Sequence, residues 1–403
     1  MTTPKLRFKE FDNQWDKRTI NDQAQTVTSG SCDWAQYYSE SGDKFIRMTN
    51  LVRDGIYLDL SDLKFVQLPK DSNEGKRTSL KFGDILISIT AELGKLGWIP
   101  EGLGTAYINQ HTALVRMKDS VDSKFVAYSL STEKYNNKLN SLNDSGAKAG
   151  LNLGTIRNFE LIVPPKEEQT KIASFLSNVD EKINQLTQKH ALLSQYKQGM
   201  MQKLFSQQLR FKADDGREFG EWVNGCLGDI TAIQGGYAFK SNSFGKGDTK
   251  VLRIGDIRNN IFLDCFNGVY SEEIPDARYI VSKDAIVMAL SGATFGKLGK
   301  VVTGSAYLNQ RVATFNVNEK TTNEYVYQVM LSKDFFNYIQ SIPSASAQPN
   351  ISNQDVINFE ILIPCLEEQT KIANFLSAID QKIEVVAQQI EQAKTWKKGL
   401  LQQ

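Results

Sequence analysis

The feature that most constrains this chain is a duplication of its own sequence. Residues 159–205 read FELIVPPKEEQTKIASFLSNVDEKINQLTQKHALLSQYKQGMMQKLF, and residues 359–403 read FEILIPCLEEQTKIANFLSAIDQKIEVVAQQIEQAKTWKKGLLQQ, at an offset of 200. Sixteen of the first 25 aligned positions are identical. Because solenoid repeats are only roughly 20–50 residues long, this spacing indicates two homologous halves and not a repeat array.

Each copy predicts a short strand followed by a long helix. The apolar run 159–163 or 359–363 ends at proline, and Glu167 and Glu168 then favour a helix N-terminus. Apolar residues follow in alternating steps of four and three, which is typical of a coiled-coil-like helix. Two such helices can bury their apolar sides against each other in an antiparallel pair. The residues predicted to pack within this pair or against a partner are Ile172, Leu176, Val179, Ile183, Leu186, Tyr196, Ile372, Leu376, Ile379, Ile383 and Trp396.

The segments before the two helices share short anchors. GKLG occurs at 94–97 and 296–299, and AYINQHTA at 106–113 matches AYLNQRVA at 306–313. Such β-branched runs bounded by turn residues predict strands, whereas 125–142 and 325–342 each predict one helix. The loops between the anchors differ between the halves. Two duplicated domains with different loops suit a molecule that recognises two different targets at a fixed spacing.

The predicted fold class is therefore mixed α/β, with an internal pseudo-two-fold symmetry. Two similar α/β domains, each with a strongly bent and mostly antiparallel sheet, are joined by two long antiparallel coiled-coil-like helices. The predicted boundaries are 1–158 for the first domain, 159–208 for a strand and helix, 209–358 for the second domain, and 359–403 for the second strand and helix.

Composition excludes several classes of function. The net charge of +1 gives no bulk signal for nucleic acid, so any DNA contact depends on local charge. Two histidines in 403 residues leave little acid–base chemistry near neutral pH, and we find neither a phosphate-binding loop nor a metal-ligand spacing. No secretory signal or membrane span is present. We therefore expect a cytoplasmic protein that is not an enzyme.

The paired segments of the form IPP-x-EEQ-x-KI, with GKLG and AY-x-NQ inside each domain, resemble the specificity subunit of Type I restriction-modification systems. The resemblance covers the whole chain, although Cys365 and Leu366 stand in the second copy where the first has Pro165 and Lys166. It implies two target-recognition domains, each of which reads one half of a bipartite double-stranded DNA target. The helices would set the gap between the halves.

The resemblance also implies the partners. Two methyltransferase (M) subunits would dock on the helices, and two restriction/translocase (R) subunits would complete the complex. S-adenosylmethionine, ATP and Mg²⁺ would bind to those partners and not to this chain. We expect each domain to enter the major groove, with the half-sites about one helical turn apart.

Candidate DNA contacts lie in matched turns and in the divergent loops. Lys95 and Lys297 sit in the GKLG turns, where lysine can meet a phosphate. His111 and Arg311 differ at matched positions next to Asn-Gln pairs, as residues that read different bases should. Arg47 and Arg253 are shared, which suits a phosphate contact or an internal ion pair equally. The remaining candidates lie in the loops before each conserved strand: Lys148, Asn152, Gln348 and Asn350.

Three other interpretations remain open at this point. A free-standing bipartite DNA-binding regulator would need its own affinity, which the absence of a basic patch argues against. A fused enzyme with an unrecognised site lacks the required motifs. An assembly scaffold that reads no DNA would leave the divergent loops unexplained.

Overall fold

The structure, a computed structural model, describes residues 4–69, 75–142, 150–342 and 351–402. The chain forms two compact units. Unit 1 comprises Met1–Leu186 with Gln389–Gln403, and unit 2 comprises Thr187–Gln388. Each unit thus contains one predicted α/β domain and a portion of each long helix. The finer division at residues 158, 208 and 358 stays a prediction.

The secondary structure of unit 1 follows the predicted anchors. Its strands are β1 (Asp16–Thr19), β2 (Ala24–Ser29), β3 (Tyr38–Ser39), β4 (Asp43–Ile46), β5 (Lys64–Val66), β6 (Ile85–Ser88), β7 (Leu96–Trp98), β8 (Ala106–Ile108), β9 (Thr112–Met117) and β10 (Glu160–Val163). Its helices are α1 (Ile20–Gln23), α2 (Ser123–Ser131), α3 (Glu133–Ser141), α4 (Leu153–Arg157) and the first part of α5 (Lys166–Phe205).

Unit 2 repeats this order with longer strands. Its strands are β11 (Val223–Cys226), β12 (Thr231–Gly235), β13 (Phe244–Leu252), β14 (Asn260–Phe262), β15 (Val269–Ser271), β16 (Ile280–Ser282), β17 (Ile286–Ala289), β18 (Leu298–Thr303), β19 (Ser305–Leu308), β20 (Val312–Val317) and β21 (Glu360–Ile363). Its helices are α6 (Asn323–Met330), α7 (Lys333–Ser341), α8 (Asn353–Ile357) and most of α9 (Leu366–Leu401).

The prediction of one bent sheet per domain is wrong. Unit 1 has two four-stranded sheets, in the orders β2-β9-β6-β7 and β3-β5-β4-β8, and β4 pairs with β8 in parallel. The cause is visible in β6, which is buried along its whole length. Ile85 and Ile87 pack toward the helices, while Leu86 packs toward the second sheet. A strand covered on both faces needs a second layer. Unit 2 likewise has a five-stranded and a four-stranded sheet.

The prediction of one helix over 125–142 and one over 325–342 is also wrong. Thr132 adopts an extended backbone, ends α2, and its side chain accepts a hydrogen bond from the backbone N–H of Tyr135 at the start of α3. Ser332 does the same for Phe335 at the start of α7. A hydroxyl at such a position offers the backbone a cap in place of a continued helix, so each segment splits into two helices.

The repeated EEQ segment anchors the start of each long helix. Glu168 is fully buried and accepts two hydrogen bonds of 2.7 Å from Arg7, whose LRF motif begins the first half. Arg210 of the second LRF motif makes the equivalent pair with buried Glu368. Planar bidentate pairs of this kind satisfy a buried carboxylate. LRF therefore occurs twice because its arginine pairs with the second glutamate of EEQ in each half.

The two long helices meet inside both units. In unit 1, Ile172 near the start of α5 shares a core with Leu400 and Leu401 at the end of α9. In unit 2, Met201 and Leu204 near the end of α5 share a core with the first turns of α9. The start of each helix thus packs near the end of the other, which is the predicted antiparallel arrangement.

One half-buried aspartate in each unit links three helices. In unit 1, Asp180 of α5 accepts a hydrogen bond of 2.6 Å from the Tyr128 hydroxyl of α2 and pairs with Lys397 of α9 at 2.5 Å. Burial and the bond to Asp180 raise the pKa of Tyr128, which keeps its hydroxyl protonated and donating. We call this group, with its counterpart in unit 2, the aspartate junction.

The counterpart in unit 2 is built from the matching positions. Asp380 of α9 accepts hydrogen bonds of 2.9 Å from Gln328 of α6 and 2.7 Å from Lys197 of α5. Lys197 and Lys397, which interrupt the apolar pattern in the sequence, are therefore the cations of two equivalent ion pairs. Each pair joins one long helix to the other and to a helix of the α/β domain.

We predict that Lys397→Met destabilises the chain by about 2 kcal/mol, because it leaves the half-buried carboxylate of Asp180 without its cation. Urea unfolding measures the loss. Lys394→Met is the matched control, since Lys394 lies on the same helix in an exposed pair with Glu391 and should change stability by less than about 0.5 kcal/mol. Equal effects of the two substitutions would contradict the structural importance of the junction.

Candidate nucleic-acid interface

The candidate residues of unit 1 gather where several strands of one sheet end. The backbone N–H of Ile89, just after β6, donates to the carbonyl of His111, just before β9, at 3.0 Å. Leu151 donates to Ile89 at 2.9 Å, and Gln110 donates to Ser31 at 3.1 Å. These bonds bring four loops to one sheet edge. We call the residues Ser31, Thr90, Lys95, His111 and Asn152 on these loops the strand-end face of unit 1.

Unit 2 has the same edge built by the same bonds. Leu290 donates to the carbonyl of Arg311 at 2.9 Å, and Ile351 donates to Leu290 at 3.1 Å. Ala289 donates to Lys297 at 2.9 Å. The strand-end face of unit 2 therefore consists of Tyr237, Ser291, Lys297, Arg311 and Ser352. Its backbone repeats that of unit 1, while four of its five side chains differ.

The side chains at the matched positions 111 and 311 have different chemistry. The half-buried His111 ring has Thr90 Oγ1 at 2.9 Å from Nδ1 and Gln110 Nε2 at 3.2 Å from its Nε2. Arg311 is exposed, and its Nη1 donates to Ser291 Oγ at 3.1 Å. Arginine carries five donors in a planar fork, which suits guanine O6 and N7, whereas neutral histidine offers one donor and one acceptor.

The two GKLG lysines differ in their surroundings. Lys95 pairs with Glu92 at 2.5 Å, its side chain is 18% exposed, and this hydrogen bond lowers the pKa of Glu92. Lys297 is half-buried and makes no side-chain ion pair with any residue that the structure describes. The charge of Lys297 is therefore available for a phosphate, whereas that of Lys95 is compensated within the turn.

Arg47 and Arg253 lie just after matched strands and contact acidic residues. Arg47 Nη2 donates to Asp62 Oδ2 at 2.6 Å, and this bond lowers the pKa of Asp62. Arg253 Nε lies 3.7 Å from Asp256 Oδ2. These contacts favour the internal ion pair over the phosphate contact for Arg47. Arg253 is more exposed and its pair is longer, so it stays a candidate for DNA.

The loop candidates fall partly outside the described residues. Lys148, Gln348 and Asn350 lie there. Asn152 is the N-cap of α4, where its Oδ1 accepts from the backbone N–H of Thr155 at 2.8 Å. Ser352 caps α8 at the matching position. The polar character of residue 152 is thus explained by helix capping.

The structure adds a pair of arginines that the sequence analysis did not single out. Arg77 is exposed and donates to Thr28 Oγ1 at 2.7 Å, at the end of β2 and so beside the strand-end face. Arg278 is its exposed counterpart and stacks on Tyr279 with 4.7 Å to the ring centroid. Each precedes its matched strand residue, Ile85 or Ile286, by eight positions. Aligning the halves from these strands would have revealed the pair.

In the described ranges, no group of three or more histidine, cysteine or acidic side chains is placed to hold a metal ion. No described helix combines the length and the apolar character that crossing a bilayer requires.

The comparisons with known proteins agree with this geometry. The profile of the Type I restriction modification DNA specificity domain matches residues 13–194 and 220–395. The MjaVIII specificity subunit of Methanocaldococcus jannaschii is 30% identical over 257 residues, which are 60% of this chain and 60% of that protein. The putative MjaX specificity subunit of the same archaeon is 25% identical and covers 98% of this chain and 94% of its own length.

Solved structures show the same fold. The S subunit of a Type I restriction-modification system from M. genitalium aligns with a TM-score of 0.63 at 17% identity, over 99% of this chain and 98% of that one. A chain from a study of complex assembly in a type I system aligns with a TM-score of 0.56 at 13% identity, over 96% of both chains.

Two matched domains on one chain define the class: a DNA sequence-specificity protein, which is a recognition subunit and not an enzyme. The chain belongs to the Type I restriction modification DNA specificity family. The predicted family, the mixed α/β fold with two long helices, and the DNA-specificity function are confirmed.

We predict that Lys297→Ala reduces the slope of log binding constant against log salt concentration by about 0.9, the value for one phosphate contact on B-DNA. The assay is DNA binding by the assembled complex at several salt concentrations. Lys95→Ala is the matched control and should change the slope less, because Glu92 already neutralises Lys95. A larger change for Lys95→Ala would reverse the assignment.

Proposed function

We propose that each unit reads one half of a bipartite DNA target through its strand-end face. One observation carries the proposal: the same backbone hydrogen bonds hold residues 111 and 311, yet one is histidine and the other arginine. A duplicated scaffold with unlike side chains is what reading two unlike half-sites requires. The side chains enter the major groove, where all four base pairs can be distinguished.

The long helices set the gap between half-sites and carry the methyltransferase subunits. Support comes from large apolar side chains that the helices leave in solvent. Leu192, Tyr196, Val385 and Trp396 are each more than half exposed. Exposed apolar groups on a scaffold helix are suited to a protein partner. We propose two methyltransferase subunits per chain, one for each repeat, and two restriction subunits in the full complex.

The near-neutral charge of the chain fits this division of work. With a net charge of +1, the chain supplies little of the sequence-independent attraction that dominates DNA affinity. We therefore propose that the partners supply most phosphate contacts and bind S-adenosylmethionine, ATP and Mg²⁺. This chain selects the site, with half-sites about one helical turn apart, and acts in the cytoplasm, where bacterial and archaeal DNA is found.

We predict that Arg311→Ala relaxes base preference at one or two positions of the half-site read by unit 2, at a cost of about 1–3 kcal/mol against the preferred base. The assembled complex selects sequences from a randomised DNA library, and the selected sequences give the base preference at each position. His111→Ala is the matched variant and should change only the other half-site. A uniform loss of affinity for all sequences would show that Arg311 contacts phosphate instead.

We predict that inserting four residues into α5, with a matching insertion in α9, lengthens the gap between half-sites and leaves the half-site bases unchanged. Four residues add about one turn, or ~6 Å, to each helix. The same library selection reports gap and bases separately. A changed half-site sequence at a constant gap would refute the role of the helices as spacers.

A further inference from the structure

A residue that bears a hydroxyl stands beside the proposed reading residue of each unit, which is His111 in unit 1 and Arg311 in unit 2. Thr90 and Ser291 each follow directly on the residue whose backbone N–H holds the carbonyl of position 111 or 311. Thr90 Oγ1 lies 2.9 Å from His111 Nδ1, and Ser291 Oγ accepts from Arg311 Nη1 at 3.1 Å. Each reading residue is thus held twice, at its backbone and at its side chain.

The backbone beside the two hydroxyls bends in the same way. The residue after each of them adopts a left-handed conformation, with φ of +55° at Ala91 and +78° at Gly292. Glycine adopts this conformation freely, whereas for alanine it costs free energy. The bend is therefore kept although its residues differ, and the two hydroxyls approach the reading residues from equivalent points of the chain.

The hydroxyl of Ser291 does not serve the local backbone. Ser291 stands at the N-cap of a short 3₁₀ helix (Gly292–Thr294), where serine often accepts from a backbone N–H, but its side chain makes no such bond. The residue is only 3% exposed, and a buried hydroxyl normally has a hydrogen-bond partner. Within the described part of the chain, that partner is Arg311.

A hydroxyl can hold either kind of reading residue. The N–H groups of a guanidinium only donate, so Arg311 needs an acceptor. The Nδ1 atom of a neutral imidazole donates in one tautomer and accepts in the other, so His111 needs a partner that can do both. A hydroxyl donates one hydrogen bond, accepts others and rotates to suit its neighbour. Threonine and serine can therefore stand beside two unlike reading residues.

The contact with Ser291 leaves the base-reading edge of Arg311 free. Ser291 occupies Nη1, so the edge formed by Nε and Nη2 keeps its two parallel donors. Arg311 makes no other side-chain hydrogen bond with a residue that the structure describes. Two parallel donors match O6 and N7 of guanine in the major groove. Because arginine has many rotamers, holding it in place reduces the conformational entropy that is lost when it contacts a base.

We propose that Thr90 and Ser291 are positioning residues, whose hydroxyls orient the reading residues toward the bases and allow the reading residue to change while the scaffold stays the same. The proposal rests on the proposed function, since it concerns how each strand-end face reads its half-site. The two hydroxyls act through His111 and Arg311 and contact no base themselves. In unit 2, the base that Arg311 selects in this orientation is guanine.

The first test removes each hydroxyl and measures the base preference of the assembled complex by selection from a randomised DNA library. Ser291→Ala should lower the guanine preference at the position that Arg311→Ala affects by about two- to tenfold, the cost of ordering one flexible side chain. Thr90→Val should lower the preference for the base that His111 reads in the other half-site. Thr90→Ser keeps the hydroxyl and should keep that preference.

The variants of the reading residues distinguish failure of the positioning role from failure of the reading function. If Arg311→Ala changes a base preference and Ser291→Ala does not, the positioning role is overturned and the reading function stands. Equal losses of preference with Thr90→Val and Thr90→Ser would also overturn it. If neither Arg311→Ala nor His111→Ala changes the preference at any position, the proposed function itself fails.

The second test keeps both hydroxyls and changes the reading residue of unit 1. His111→Arg should create a guanine preference of about fivefold or more in that half-site, because Thr90 Oγ1 can accept from a guanidinium as Ser291 Oγ does. Adding Thr90→Val to His111→Arg should lower this new preference about two- to tenfold. A guanine preference that does not depend on Thr90 would overturn the proposal. So would the absence of any guanine preference from a complex that still selects the half-site of unit 2.

Discussion

The fold depends on a half-buried carboxylate in each unit that links three helices at one point. Asp180 in unit 1 and Asp380 in unit 2 each accept a hydrogen bond from a helix of the α/β domain and pair with a lysine of the other long helix. Removing either partner would leave this charge unpaired in a partly desolvated place, so the contacts favour one arrangement of the three helices within each unit. The proposed function requires this fixed geometry between the helix portions and the reading surface of each unit.

A second ion pair, between an arginine and a glutamate, also occurs in both units. Arg7 and Arg210 each hold a fully buried glutamate at the start of a long helix. The helix is thereby fixed to the first residues of its own half. The aspartate junction and this arginine–glutamate pair together determine where the strand-end face of each unit is held. The residues on those faces differ between the units, and in the proposed function that difference lets one scaffold read two half-sites.

Periodicity and repetition were enough to predict the long helices, their antiparallel pairing and the duplicated α/β domains. The second sheet could not be predicted, because residues 85–87 are all apolar and do not show which layer covers each face of the strand. The break at Thr132 was missed because a threonine inside a helical pattern reveals its role only when its hydroxyl is seen to cap the next helix.

The candidate site shows a similar limit. The sequence placed His111 and Arg311 at matched positions, but it could not reveal that Glu92 neutralises Lys95 or that Asn152 caps a helix. Those facts depend on side-chain geometry. Arg77 and Arg278 were hidden because the residues around them diverge, although their distances to the matched strands are equal.

The most direct measurement of the central claim is the methylation pattern that this chain directs. The chain would be co-expressed with its methyltransferase partner, and the host genome would be read by modification-sensitive sequencing. Two unlike half-sites separated by a constant gap would be the result that a duplicated scaffold with different reading surfaces predicts. A single uninterrupted motif, two identical half-sites, or no methylation from a stable complex would contradict the account.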